Sequence, residues 1–162
     1  MVLSGIENHI MYGKYPCRLP VWWGLFGEVG LEPEISNISG RKVILRIEKK
    51  FNRLESILAK IFRAPKEIRR PLDEKNSMLW QLCDGTRKFE DICEILDSLF
   101  HEDISPVMHR TAAGINLLKD KNLMTILDSK FTRKWSIGQG ITPSNQTLKP
   151  LDESLGIIVE EE

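Results

Sequence analysis

The run Leu72-Asp73-Glu74-Lys75-Asn76-Ser77-Met78-Leu79-Trp80-Gln81-Leu82-Cys83-Asp84-Gly85 constrains this chain more than any other, because it encodes both ends of a short helix. Asp73 suits the cap, since its carboxylate can accept from amides that the first turn leaves free. Met78, Leu79, Leu82 and Cys83 fall on one helical face. Gly85 suits the left-handed conformation that stops a helix. A second helix follows at once, with Phe89, Ile92, Cys93, Leu96, Leu99 and Phe100 as its apolar stripe and Thr86 as its expected cap. Ser105-Pro106 opens a third, with Ser at the cap and Pro in the first turn. Val107, Met108, Thr111, Ile115 and Leu118 continue it at helical spacing.

Upstream, the period changes twice. Val43, Leu45 and Ile47 alternate with their neighbours over Arg41–Glu48, the pattern of a strand. Phe51, Leu54, Ile57, Leu58, Ile61 and Phe62 then form a helical stripe that Ala64-Pro65 ends. Residues 66–72 read as extended, with Ile68 as the buried candidate. Pro71 has no amide hydrogen to give a ladder, so this strand is expected at a sheet edge. Leu123–Leu127 is a short apolar run expected to pack back as a strand. The expected core is Val43, Leu45, Ile47, Leu58, Ile61, Leu79, Leu82, Ile92, Leu96, Ile115 and Leu118.

The two ends differ in character. In residues 1–40, Pro16, Pro20 and Pro33 stand among glycines and exclude a long helix. Leu19–Phe26 is too apolar to leave in water, so this irregular arm is expected to pack on the domain or on a partner. Residues 41–127 form the expected domain. Residues 128–162 are expected to be a mostly flexible tail, docked only near Phe131 and Trp135. The start of the chain has no secretory pattern, and no run reaches the roughly 20 apolar residues of a membrane span. The expectation is a cytoplasmic protein without a membrane partner.

Catalytic signals are missing. Cys17, Cys83 and Cys93 fit no zinc spacing and read as buried thiols. His9, His101 and His109 are dispersed, and no pair has the spacing that places two ligands on one helix face. Gly24, Gly27 and Gly30 recur, but Glu28 stands where a phosphate would sit. Asp73, Glu74 and Asp84 are explained by caps and turns. The reading is a non-enzyme with no catalytic residue, no metal and no cofactor. Lysines and arginines balance acids over the whole chain, giving zero formal charge. Between Arg41 and Lys75, however, twelve basic residues face five acidic ones. A local surface there can attract an acidic partner.

The stretch Leu72–Ile92 resembles the signature of PqqD-like proteins, with Trp80, Leu82, Asp84-Gly85 and Glu90-Asp91-Ile92 at the family's positions. The resemblance covers residues 41–127. Lys88 departs from it, as does the Phe51–Phe62 helix, and neither arm has a counterpart. The resemblance implies an α+β fold: a small three-stranded antiparallel sheet with three helices in a winged-helix-like arrangement, here with an inserted helix. It also implies a precursor-peptide recognition element, which binds a leader peptide and presents it to a modifying enzyme such as a radical SAM protein.

Capture in that family works by strand addition: an extended peptide satisfies the free backbone groups of an edge strand beside the third helix. Carried to this chain, the edge is Lys66, Glu67, Ile68, Arg69 and Arg70. The groove is lined by Val107, Arg110, Thr111 and Gly114 of the Pro106–Lys119 helix. A winged-helix DNA reader is the competing expectation, but Glu102-Asp103 before that helix opposes phosphate contact. A structural adaptor acting through Trp22 and Trp23 is the third.

Overall fold

Alternation along residues 42–48 decides the architecture, because Val43 and Leu45 are fully buried on one side of the strand while Lys42 and Ile44 point the other way. The computed structural model describes residues 3–49, 53–61, 67–144 and 146–159. Its elements run β1 (Tyr15–Arg18), β2 (Trp22–Phe26), β3 (Lys42–Glu48), α1 (Arg53–Ile61) and β4 (Glu67–Pro71). There follow α2 (Glu74–Leu82), α3 (Phe89–Phe100), α4 (Val107–Asp120) and β5 (Met124–Leu127). The fold is α+β. β2, β3 and β4 form an antiparallel sheet in that order, and β1 pairs with β5 in a second, two-stranded sheet. In the larger sheet Trp23 lies opposite Leu45, and Ile68 lies opposite Ile47.

The helices cover one face of β3. Asp73 caps α2 as expected, its Oδ1 accepting from the Asn76 amide at 2.8 Å. Ser77 Oγ accepts from the Val43 amide at 2.8 Å and donates to the Leu72 carbonyl, which ties α2 to the sheet. Trp80 is fully buried and meets Trp23 edge-on, with ring centroids 6.4 Å apart. Such a pair joins sheet to helix through both burial and quadrupole geometry. α3 and α4 pack on α2 and close the core with Phe89, Ile92, Leu96, Ile115 and Leu118.

Several expectations are corrected. The Leu19–Phe26 arm is not irregular throughout, because it supplies β2, the third strand of the sheet. β5 pairs with β1 of the same arm. Thr86 does not cap α3. Its hydroxyl donates to Asp84 at 2.6 Å, and Lys88 occupies the cap position without a side-chain bond. Pro106, not Ser105, stands at the cap of α4.

The largest correction concerns α1. Leu54, Ile57, Leu58 and Ile61 are 67%, 53%, 45% and 67% exposed, so Leu58 and Ile61 are not core residues. The last pair of the β3–β4 ladder is Glu48 with Glu67, and α1 lies in the connection beyond it. Among the described residues no layer covers its stripe there, and β2 fills the core with Trp23 and Leu25 instead. Phe51 and Phe62 lie outside the described residues.

The segment after β5 is docked well beyond Phe131 and Trp135. The Gly140 amide donates to the Trp23 carbonyl, Thr147 Oγ1 donates to Glu48, and Ile158 pairs with Leu25. Among the described residues, no helix is long and apolar enough to cross a membrane.

Candidate functional site

β3 is the centre of the sheet, so β2 and β4 are its two edges. They differ in what lies beside them. The C-terminal arm runs along β2: the Leu25 amide donates to the Ile158 carbonyl at 3.0 Å, and the Ile158 amide returns a bond to Leu25 at 2.6 Å. Gly24 permits this approach, since a Cβ there would stand 2.6 Å from Ile157 Cγ2. Along β4, no further strand is paired among the described residues.

The face of the sheet turned away from the helices carries a charged cluster. Arg46 lies 4.5 Å over the Trp22 ring, donates through Nε to Glu67 Oε2 at 2.7 Å, and donates through Nη2 to the Lys149 carbonyl. It is only 3% exposed. Arg69 donates to the other Glu67 oxygen at 3.0 Å. Burial alone would raise the Glu67 carboxyl, but the hydrogen bond and charge of Arg46, then those of Arg69, outweigh it and hold the group below the ordinary glutamate range. Asp152 of the arm is lowered too, first by the Ser154 amide and in part by the charge of Arg69.

The expected peptide-binding residues divide. Glu67, Ile68, Arg69 and Arg70 do form the edge strand β4, whereas Lys66 lies outside the described residues. Ile68 is half-buried on the core side, and Arg70 is exposed. On α4, Val107 and Thr111 are buried in the core, and only Arg110 is exposed, its guanidinium donating to the Asp103 carbonyl. A Cβ on Gly114 would stand 2.7 Å from Leu79 Cδ2, so this glycine serves the close packing of α4 on α2. These four helix residues therefore do not share one open groove.

Sequence patterning missed a second cluster, built by β1 and the C-terminal arm. Arg18 is buried and donates to the carbonyls of Trp80, Gln81 and Ile137. Trp135 Nε1 donates to the Arg18 carbonyl at 2.8 Å. A cleft of about 660 Å³ opens beside it, between Asp84, Phe131 and Trp135. β1 is four residues long with a proline inside, so it has too few positions to show a period. Among the described residues, no three His, Cys, Asp or Glu side chains converge as a metal-binding group. No protein-family model, no curated protein and no solved structure matches this chain.

Proposed function

We propose that this protein is a non-catalytic peptide-binding module of the cytoplasm. It captures an extended precursor or leader peptide by strand addition at β4 and presents it to a peptide-modifying enzyme, such as a radical SAM protein. One observation carries the reading: the sheet accepts its own arm at the β2 edge, while the outer side of β4, away from β3, has no strand partner among the described residues. Main-chain pairing at β4 would supply general affinity. Arg69 and Arg70 would favour acidic peptides and speed the encounter. The likeness of Leu72–Ile92 to PqqD-like proteins supports the same reading. The three free, buried cysteines are compatible with a reducing compartment.

The test is an NMR titration with an acidic leader-type peptide. Shifts should centre on residues 67–71. Arg69→Pro should abolish them, because the Arg69 amide points away from β3 and is one of those an added strand would use. Arg69→Glu with Arg70→Glu should weaken binding and its salt dependence while the fold persists. Shifts confined to the first turn of α4, matched by duplex DNA, would replace this reading with DNA binding.

A further inference from the structure

We propose that α1 docks the protein on the surface of an anionic phospholipid bilayer. The helix presents Leu54, Ile57, Leu58 and Ile61 to solvent on one face, with none of them more than about half covered. Single exposed aliphatic residues are ordinary, but four on one face of a nine-residue helix form a contiguous apolar strip. The core is complete without them, and α1 packs extensively on no other described element.

Charge decides what covers the strip. Residues 49–66 contain Lys49, Lys50, Arg53, Lys60, Arg63 and Lys66 against the single acid Glu55. Lys60 is exposed on the helix itself. The occupant this favours is apolar where it meets the strip and negatively charged overall, to suit a segment with six cations and one acid. A bilayer bearing anionic headgroups meets both conditions, since an interfacial helix buries its apolar face at the acyl boundary while its cations sit among the headgroups. The described face is wholly aliphatic. Position fits as well: α1 lies beyond the last pair of the β3–β4 ladder, at the end of the sheet, where a flat surface can meet it. The inference is independent of peptide capture.

The experiment is co-sedimentation of the full chain with vesicles of phosphatidylcholine alone or mixed with phosphatidylglycerol. Binding is expected to the mixed vesicles at low ionic strength and is expected to fall as salt screens the headgroups. Leu58→Glu with Ile61→Glu should reduce partitioning by about tenfold or more. The thermal midpoint should stay the same, because both positions are exposed. Lys60→Glu should weaken binding chiefly at low salt. Absence of binding to the mixed vesicles would overturn the proposal, as would equal binding to neutral ones or a double variant that binds like the parent. So would a dimer, lost in the double variant, formed by a protein that ignores vesicles, because the strip would then belong to a second copy of this chain.

Discussion

Arg46 and Glu67 form an ion pair across β3 and β4, with 2.7 Å between Nε and Oε2, on the face of the sheet that the C-terminal arm covers. The pair is diagonal: Arg46 stands opposite Arg69, and Glu67 stands opposite Glu48. Without Glu67, two arginines would face each other across the strands and one of them would be buried. Glu67→Gln should therefore cost about 1–3 kcal/mol near neutral pH, as expected when a buried charge loses its partner. The pH dependence has a definite sign. The Glu67 carboxyl is lowered in the folded state, so its contribution is complete above the ordinary glutamate range and fades as pH falls through the folded value. Urea melts at several pH values should show the parent's advantage over Glu67→Gln shrinking toward acid. A gap constant down to strongly acid pH would show that the pair does not carry the difference.

Trp80 is the hub between sheet and helices, fully buried, and its indole Nε1 has no hydrogen-bond partner among the described residues. Trp80→Ala should cost about 3–5 kcal/mol through lost burial and the cavity left behind. Trp80→Phe should cost much less, since it keeps a ring against Trp23 and removes the unpaired donor. Chemical denaturation of both variants would check the order.

Gly85 combines two demands. Its φ is +80°, and an added Cβ would stand 2.4 Å from the Cβ of Phe131 and 2.9 Å from Cys17 Sγ. Gly85→Ala should therefore cost more than the roughly 1 kcal/mol of a left-handed alanine alone. It should also free Phe131, whose amide donates to the Gly85 carbonyl. Faster amide exchange at Phe131 would report this. An alanine variant as stable as the parent would contradict the close contact.

The thiols should be inert in the folded protein. Burial pushes Cys17 up to about 11 and Cys93 up to about 12, and it pushes Cys83 up as well. Little thiolate is then present at mildly alkaline pH, and thiolate is the reactive form. A chromogenic disulfide reagent should label all three cysteines after denaturation and none rapidly before it. Fast labelling of any one would place it outside the core.

What the sequence revealed follows from where signals are local. The Asp73 cap, the left-handed backbone of Gly85 and the stripes of α3 and α4 each depend on residues within a turn or two, and they were legible, although α2 is closed by Cys83 and not by Gly85, two residues later. So was β4 as an edge strand, because Pro71 limits its pairing. The stripe of α1 was equally clear, but period reports amphipathicity and not which surface covers it. β1 and β2 were hidden for another reason. β2 is buried at four consecutive positions, so it does not alternate, and β1 is defined by β5, more than a hundred residues later. The C-terminal arm carries little regular structure of its own. Its place is set by scattered hydrogen bonds to Arg18, Trp23, Leu25 and Arg46, which no local pattern encodes.

The arm also sets the number of edges this sheet offers. Ile158 exchanges both backbone bonds with Leu25, so it covers β2 much as an added strand would. Ile158→Pro removes the amide donor and should loosen this segment at a cost of about 1 kcal/mol, the usual net worth of one hydrogen bond. Amide exchange at Leu25 should then accelerate, while exchange in α2 and α3 stays as in the parent. Once uncovered, β2 has the same unsatisfied backbone as β4, so an extended acidic peptide should gain a second, weaker site there. Two-site binding by the variant, against one site in the parent, would tie affinity to open backbone edges. One-site binding in both, with Leu25 exchange unchanged, would show that the Ile158 pairing is not what closes β2.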